Sequence, residues 1–296
     1  MSAPFRGVFT ALVTPMTPDE ELDLGALAAH VDRQVADGVH GLVALGSTGE
    51  YYALSATERE AVVRTVVEAA RGRAPVLAGP NAGSTRDAVA YARQAEKAGA
   101  AGLLVSAPYY SLPSPGELVE HVRAVAAATG LPVVLYNYPG RTGVDMTPDV
   151  VERLAEIPSV RYIKESTGDI TRVSAIVRRC GGRMAVFCGC DTEALESFVL
   201  GATGWVTGVA NVAAKPAVEL FRLAADRQDL PAARAAHDRL LPLLSHLETC
   251  GRYTQAVKAG CAIAGHPVGP PRRPLRPLEG DAVRALRDVI APFLNG

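Results

Sequence analysis

Residues 160–169 read VRYIKESTGD. Val160 to Ile163 alternate and carry the β-branched and aromatic side chains that fit a pleated strand. Ser166 to Asp169 have the composition of a turn and lead into the helical run ITRVSAIVRRC. A strand, a short loop and a helix thus follow one another directly, and Lys164 falls where the strand ends.

The same unit recurs along the chain. Short apolar runs begin at Gly7 (GVFTALV), Gly41 (GLVAL), Pro75 (PVLAG), Gly102 (GLLVS), Pro132 (PVVLYN), Val160 (VRYIK), Met184 (MAVFC) and Gly204 (GWVTGV). Runs that are apolar on both faces and rich in Val and Leu read as strands of a buried parallel sheet. Amphipathic segments separate them, with recognisable punctuation. Ser55 to Glu58 and Ser114 to Glu117 are capping boxes, the second with proline in the first turn, and Thr147-Pro148-Asp149 opens a further helix. Gly72, Gly99, Gly130, Gly181 and Gly201 follow helical periodicity where a left-handed C-terminal residue is expected. Eight strands alternating with helices predict an α/β fold, a (β/α)8 TIM barrel, over residues 1–222. From 223 to 296 the strand signals vanish. Two helical patterns, the proline-rich HPVGPPRRPLRPLEG and a last helix read as a C-terminal helical extension.

Composition narrows the function. Thirty basic and 31 acidic residues nearly cancel, which argues against nucleic acid or an anionic membrane surface as partner. The N-terminal MSAPFRGVFTALVTPM lacks the apolar core of a signal peptide, and no run approaches the roughly 18 apolar residues of a membrane span, so a cytoplasmic protein is expected. Five cysteines without CxxC spacing predict neither a disulfide framework nor a zinc site. Cys188 and Cys190 read as buried thiols at a strand end.

In an α/β barrel, chemistry collects where strands end and βα loops begin. Those positions hold Thr10 and Thr14, GSTGE (46–50), NAG, APYY (107–110), YNYPGRT (136–142), KES (164–166), CGCD and TGVAN. The set contains one lysine, one arginine, tyrosines and hydroxyls but no histidine, which suits imine chemistry better than metal hydrolysis. A lysine amine attacks a carbonyl only when unprotonated, and burial beside apolar neighbours such as Ile163 favours that form. The imine of a 2-oxo acid is an electron sink: the adjacent carbon can lose a proton, and the enamine so formed can attack an aldehyde. Tyr136, with the hydroxyls of Ser47 and Thr48, suits the proton transfers. The amides of the Gly-Ser-Thr-Gly turn could hold a carboxylate, and Arg141 a second acidic group. Each feature also has a plainer reading. Lys164 and Arg141 could be solvated charges, Tyr136 a core tyrosine, Tyr109 and Tyr110 a cover for the mouth, and GSTGE the shape of a loop. The six histidines, mostly on helices or in the tail, read as surface residues.

Taken in order, GSTGE, PYY, YNYPGRTG, IKESTGD and GATGWVTGVAN resemble the dihydrodipicolinate synthase and N-acetylneuraminate lyase superfamily from GVFTALVTP through VKAG. The resemblance implies a metal-independent barrel enzyme without organic cofactor, usually a homotetramer built as a dimer of dimers. The Schiff-base lysine would be Lys164 and the catalytic tyrosine Tyr136. Thr48, with Ser47, would bind the pyruvate carboxylate and join the relay, Gly49 would belong to the same binding turn, and Val206 would contribute a backbone contact. Tyr110 would reach a neighbouring subunit's site. Arg141 favours the branch that condenses pyruvate with aspartate semialdehyde on the route to lysine. Ser47 in place of threonine, YTQAVKAG and CGCD resemble instead a wider set that includes aldolases and dehydratases of 2-keto-3-deoxy sugar acids.

Overall fold

The computed structural model describes residues 5–294. Eight strands, β1 Gly7–Ala11, β2 Gly41–Ala44, β3 Val76–Ala78, β4 Gly102–Ser106, β5 Val133–Asn137, β6 Val160–Glu165, β7 Ala185–Cys188 and β8 Gly204–Thr207, follow the apolar runs of the sequence. All pairs are parallel, and β1 pairs with both β2 and β8, so the sheet closes into a barrel in chain order. Closure explains the composition of the strands: one face fills the barrel and the other meets helices, so neither can be polar. Phe9, Val43, Leu77, Leu104, Val134, Tyr162, Phe187 and Val206 pack inside, separate from the larger apolar layer between strands and helices.

The helices begin largely where their caps require. Ser55 Oγ accepts from the Glu58 amide at 3.3 Å while Glu58 accepts from the Ser55 amide at 2.7 Å, and Ser114 and Glu117 repeat the box with Pro115 in the first turn. Thr147 precedes the helix Pro148–Leu154 but its side chain makes no capping bond; the proline, preset in φ, marks that start. Gly72, Gly99, Gly181 and Gly201 have positive φ, as expected, but Gly130 does not. The helix before it, Pro115–Ala127, has already closed in right-handed geometry at Ala128.

Beyond the barrel come helices Leu230–Thr249, Tyr253–Ile263 and Asp281–Ile290, joined by a proline-rich connector without regular structure. The connector lies close against the barrel: the Met16 amide donates to Val268 O at 3.1 Å, and Gly269 passes so near Met16 O that a Cβ there would sit 1.7 Å from it. No described helix is long and apolar enough to cross a membrane.

The histidines correct the surface reading. His30, His121 and His237 are buried and none of the six is fully exposed. His30 lies between helix and barrel, donating to Asn211 Oδ1 at 2.9 Å. Burial holds both His30 and His121 down at about 4, so they serve as neutral polar packing rather than surface charges.

Candidate active site

Strand alternation fixes the centre. Tyr162 points into the barrel, so Lys164, two residues on, points inward at its C-terminal rim, while Glu165 faces the helices. Tyr136 on β5 is in register with Lys164. The Lys164 ammonium nitrogen lies 4.3 Å from the centre of the Tyr136 ring, and the two residues are only 8% and 6% exposed. They line one cavity of about 60 Å³, several times the space one water needs.

The outward residues hold the loop after β5. Asn137 Nδ2 donates to Glu165 Oε2 and Asp145 Oδ1, both at 3.1 Å, and its Oδ1 accepts from the Met146 amide at 2.9 Å. Asp145 is gripped by both terminal nitrogens of Arg172, which holds its carboxyl below the usual range, helped by the Asn137 bond, against the opposing push of burial. This frame presents Tyr138 and Arg141 to the cavity; Arg141 is exposed and its guanidinium carbon is 5.9 Å from the Tyr138 ring centre.

Ser47 and Thr48 reach the same cavity from the turn after β2. Thr14 Oγ1 donates to Gly49 O at 2.7 Å, and the amides of Gly49 and Glu50 bond to Gly46 O and Ser47 O. Gly49 therefore has its amide occupied within the turn and does not line the cavity. Among the described residues, the amides of Ser47 and Thr48 have no protein acceptor. The turn is anchored from beneath by Glu50, fully buried and 2.6 Å from the equally buried Lys258 of the extension. Val206 lines the cavity, whereas Tyr110 is 96% exposed on a loop with positive φ and does not line its own chain's cavity.

Sequence reasoning missed the β7 side. Gly189 follows β7 so closely on β6 that an added Cβ would lie 1.9 Å from Ser166 Oγ and 2.9 Å from Lys164 Cε. Ser166 Oγ, in a residue 4% exposed, lines the cavity without a hydrogen-bond partner. Cys190 lies beyond the end of β7 and is only half buried; it too lines the cavity, and burial pushes its thiol up to about 12, which disfavours the reactive thiolate.

Next to it Asp191 accepts from Trp205 Nε1 at 3.0 Å and from the Tyr253 hydroxyl, and its amide donates to Glu248 Oε1 at 2.8 Å. Tyr253 in turn accepts from the Gly208 amide at 3.1 Å. Burial raises the Asp191 and Tyr253 pKa values, and burial together with the neighbouring Asp191 charge lifts Glu248 to about 7. Lys164 is close enough to act electrostatically on both acids, so its surroundings are more acidic than apolar neighbours alone would make them. Asp191 stood in the CGCD stretch and Tyr253 in YTQAVKAG, but Glu248 left no signal: it is one polar position on an amphipathic helix.

A closed (β/α)8 barrel with a strand-end lysine, a tyrosine beside it and hydroxyls in one small cavity at its C-terminal mouth has the layout of the class I aldolase-type lyases. The chain belongs to the dihydrodipicolinate synthetase family, whose model matches residues 4–292. A 4-hydroxy-tetrahydrodipicolinate synthase of Sorangium cellulosum is 45% identical over 285 residues, covering 95% of this chain and 93% of that protein. The crystal structure of a chloride-inhibited dihydrodipicolinate synthase from Acinetobacter baumannii, complexed with pyruvate, matches with a TM-score of 0.92 at 35% identity, over 97% of this chain and 99% of that one. A dihydrodipicolinate synthase from Cyanidioschyzon merolae with lysine bound gives a TM-score of 0.94 at 30% identity over 98% of both chains.

Proposed function

We propose that the chain is a 4-hydroxy-tetrahydrodipicolinate synthase, condensing pyruvate with aspartate semialdehyde in lysine biosynthesis. The observation that carries this reading is the convergence of Lys164, Tyr136, Ser47 and Thr48 on one small cavity. The unprotonated Lys164 amine attacks C2 of pyruvate, and loss of water gives the imine. A proton leaves C3, and the enamine attacks the aldehyde carbon of the second substrate, whose oxygen takes up a proton. The substrate's ammonium group loses a proton to solvent, and the free amine attacks C2, closing the ring and releasing the Lys164 amine.

Tyr136 moves these protons, with Thr48 and Ser47 as relay. The free amides of Ser47 and Thr48, with the Thr48 hydroxyl, hold the pyruvate carboxylate, Val206 offers a backbone contact, and Arg141 at the rim takes the aldehyde substrate's carboxylate. No metal or organic cofactor enters the scheme, because the imine is itself the electron sink. We place the enzyme in the cytoplasm as a homotetramer, a dimer of dimers, in which the exposed Tyr110 enters a neighbour's site, and we take 1–222 as barrel and 223–296 as extension.

Borohydride trapping with pyruvate, followed by intact mass and peptide mapping, tests the reading. A pyruvate-derived adduct on Lys164, lost in Lys164→Ala, is expected. Unchanged turnover by Lys164→Ala would overturn it.

A further inference from the structure

The scheme above leaves several groups lining the cavity unused, Glu248 and Ser166 among them. Glu248 commits Oε1 to the Asp191 amide at 2.8 Å, and among the described residues its Oε2 has no partner. Ser166 Oγ is buried, lines the same cavity and is likewise unpartnered. Asp191, by contrast, is fully buried and has both carboxylate oxygens engaged, Oδ1 by Trp205 and Oδ2 by Tyr253.

Charge decides what these groups would accept. Burial disfavours charge on both Asp191 and Glu248, so their ionised forms need a positive charge nearby, which within the cavity comes from Lys164 alone, since the exposed Arg141 sits out at the rim. A carboxylate of the ligand placed there would be repelled, and a neutral hydroxyl would leave the second acid uncompensated. A cationic nitrogen would balance it.

We propose that Glu248 determines specificity by accepting a hydrogen bond from the ammonium group of an α-amino aldehyde, with Ser166 Oγ as a second acceptor beside Lys164. The inference rests on the synthase reading and sharpens it. It assigns the two charges of the second substrate to two residues, the carboxylate to Arg141 and the ammonium to Glu248. The small cavity, lined by both residues together with Lys164, is consistent with a compact ligand that meets all three.

The test compares L-aspartate semialdehyde with succinate semialdehyde, which lacks only the amino group, at saturating pyruvate and with consumption of each aldehyde followed directly. The wild type should prefer the amino aldehyde in kcat/KM by roughly 10- to 100-fold, the worth of one charge-assisted hydrogen bond. Glu248→Gln, which keeps an oxygen to accept from the Asp191 amide, should bring that ratio down by about tenfold or more, chiefly through KM of the amino aldehyde. A wild type without preference overturns the inference whatever the variant does, as does an unchanged ratio in the variant. Pyruvate trapping on the wild type separates the two levels: an adduct without discrimination overturns the role of Glu248 alone, whereas no adduct overturns the synthase reading and this inference with it.

Discussion

Replacing Gly189 with alanine should damage the chemistry more than the fold. The φ of Gly189 is not in the left-handed region, so alanine meets no backbone penalty and its effect is the space its methyl needs. That methyl would lie 1.9 Å from Ser166 Oγ, 2.7 Å from Glu165 O and 2.9 Å from Lys164 Cε. The serine hydroxyl can rotate away at small cost. The Glu165 carbonyl belongs to β6 and moves only with the strand, and Lys164 Cε is the stem of the reactive amine. Restoring ordinary contact requires the lysine stem to retreat by about half an ångström, when a misplacement of about 1 Å costs on the order of a hundredfold in rate. A loss of roughly tenfold in the pyruvate trapping rate follows. Overpacking should cost about 1–3 kcal/mol, a fall of a few degrees in Tm.

Trapping rates by intact mass and Tm by calorimetry measure the two effects separately. Gly116→Ala is the control, because a Cβ there meets nothing within 4 Å: it should match the wild type in trapping rate, with Tm unchanged or slightly raised because it lies in a helix. Adding Ser166→Gly to Gly189→Ala removes the tightest contact but leaves the other two, so Tm should partly recover and the rate should not. A Gly189→Ala protein that traps pyruvate within twofold of the wild-type rate would refute the close approach of the β7 loop to Lys164.

Three other tests follow from the buried groups. Lys258→Met should cost about 3–5 kcal/mol in chemical denaturation by stranding the Glu50 carboxylate, whereas Lys258→Met with Glu50→Leu should cost less than the two single changes combined; strict additivity would deny the coupling. His121 is held at about 4 by burial against an ordinary 6.5, so the unfolded chain binds its proton first, and the stability contributed by the neutral ring, up to about 3 kcal/mol, is present above pH 6.5 and lost as pH falls towards 4. His121→Gln should flatten the dependence of unfolding free energy on pH in that window. Cys190, with its thiol pushed up to about 12, should react with iodoacetamide at pH 8 at least about a hundredfold more slowly than free cysteine, although it lines the cavity; rapid alkylation of that residue would contradict the burial.

The barrel was legible because its strands are buried on both faces, which leaves a continuous apolar run that few other elements produce. Lys164 and Tyr136 were legible for a related reason: once the strands are located, their last inward residues are known by counting in twos. What depended on helix phase or on distant packing was not legible. His30, His121 and His237 occupy inward positions of their helices, a fact that turns on the phase of each helix against the sheet. Gly49 was expected to bind a ligand carboxylate, but its amide closes the turn on Gly46 O, a local bond that composition does not reveal. Gly130 follows a helix that had already ended, so position after a periodic segment does not by itself establish a left-handed residue.

Three of the missed residues share one origin. Glu248, Tyr253 and Thr254 come from the helical extension, and all three line the cavity built on the barrel's strand ends. The extension also supplies Lys258 to Glu50 beneath the Ser47–Thr48 turn, and its connector supplies Arg272, which grips Glu58 at 2.7 Å and donates its amide to Glu50 Oε2 at 2.8 Å. The turn offering the free amides and the acids near Lys164 are therefore both held from outside the barrel. Substitutions in the extension should then change aldehyde discrimination and turn geometry while the eight strands stay closed, because the inner core of Phe9, Tyr162, Phe187 and Val206 is drawn from the barrel alone. In this chain the barrel places the lysine, and the extension helps to shape what the lysine meets.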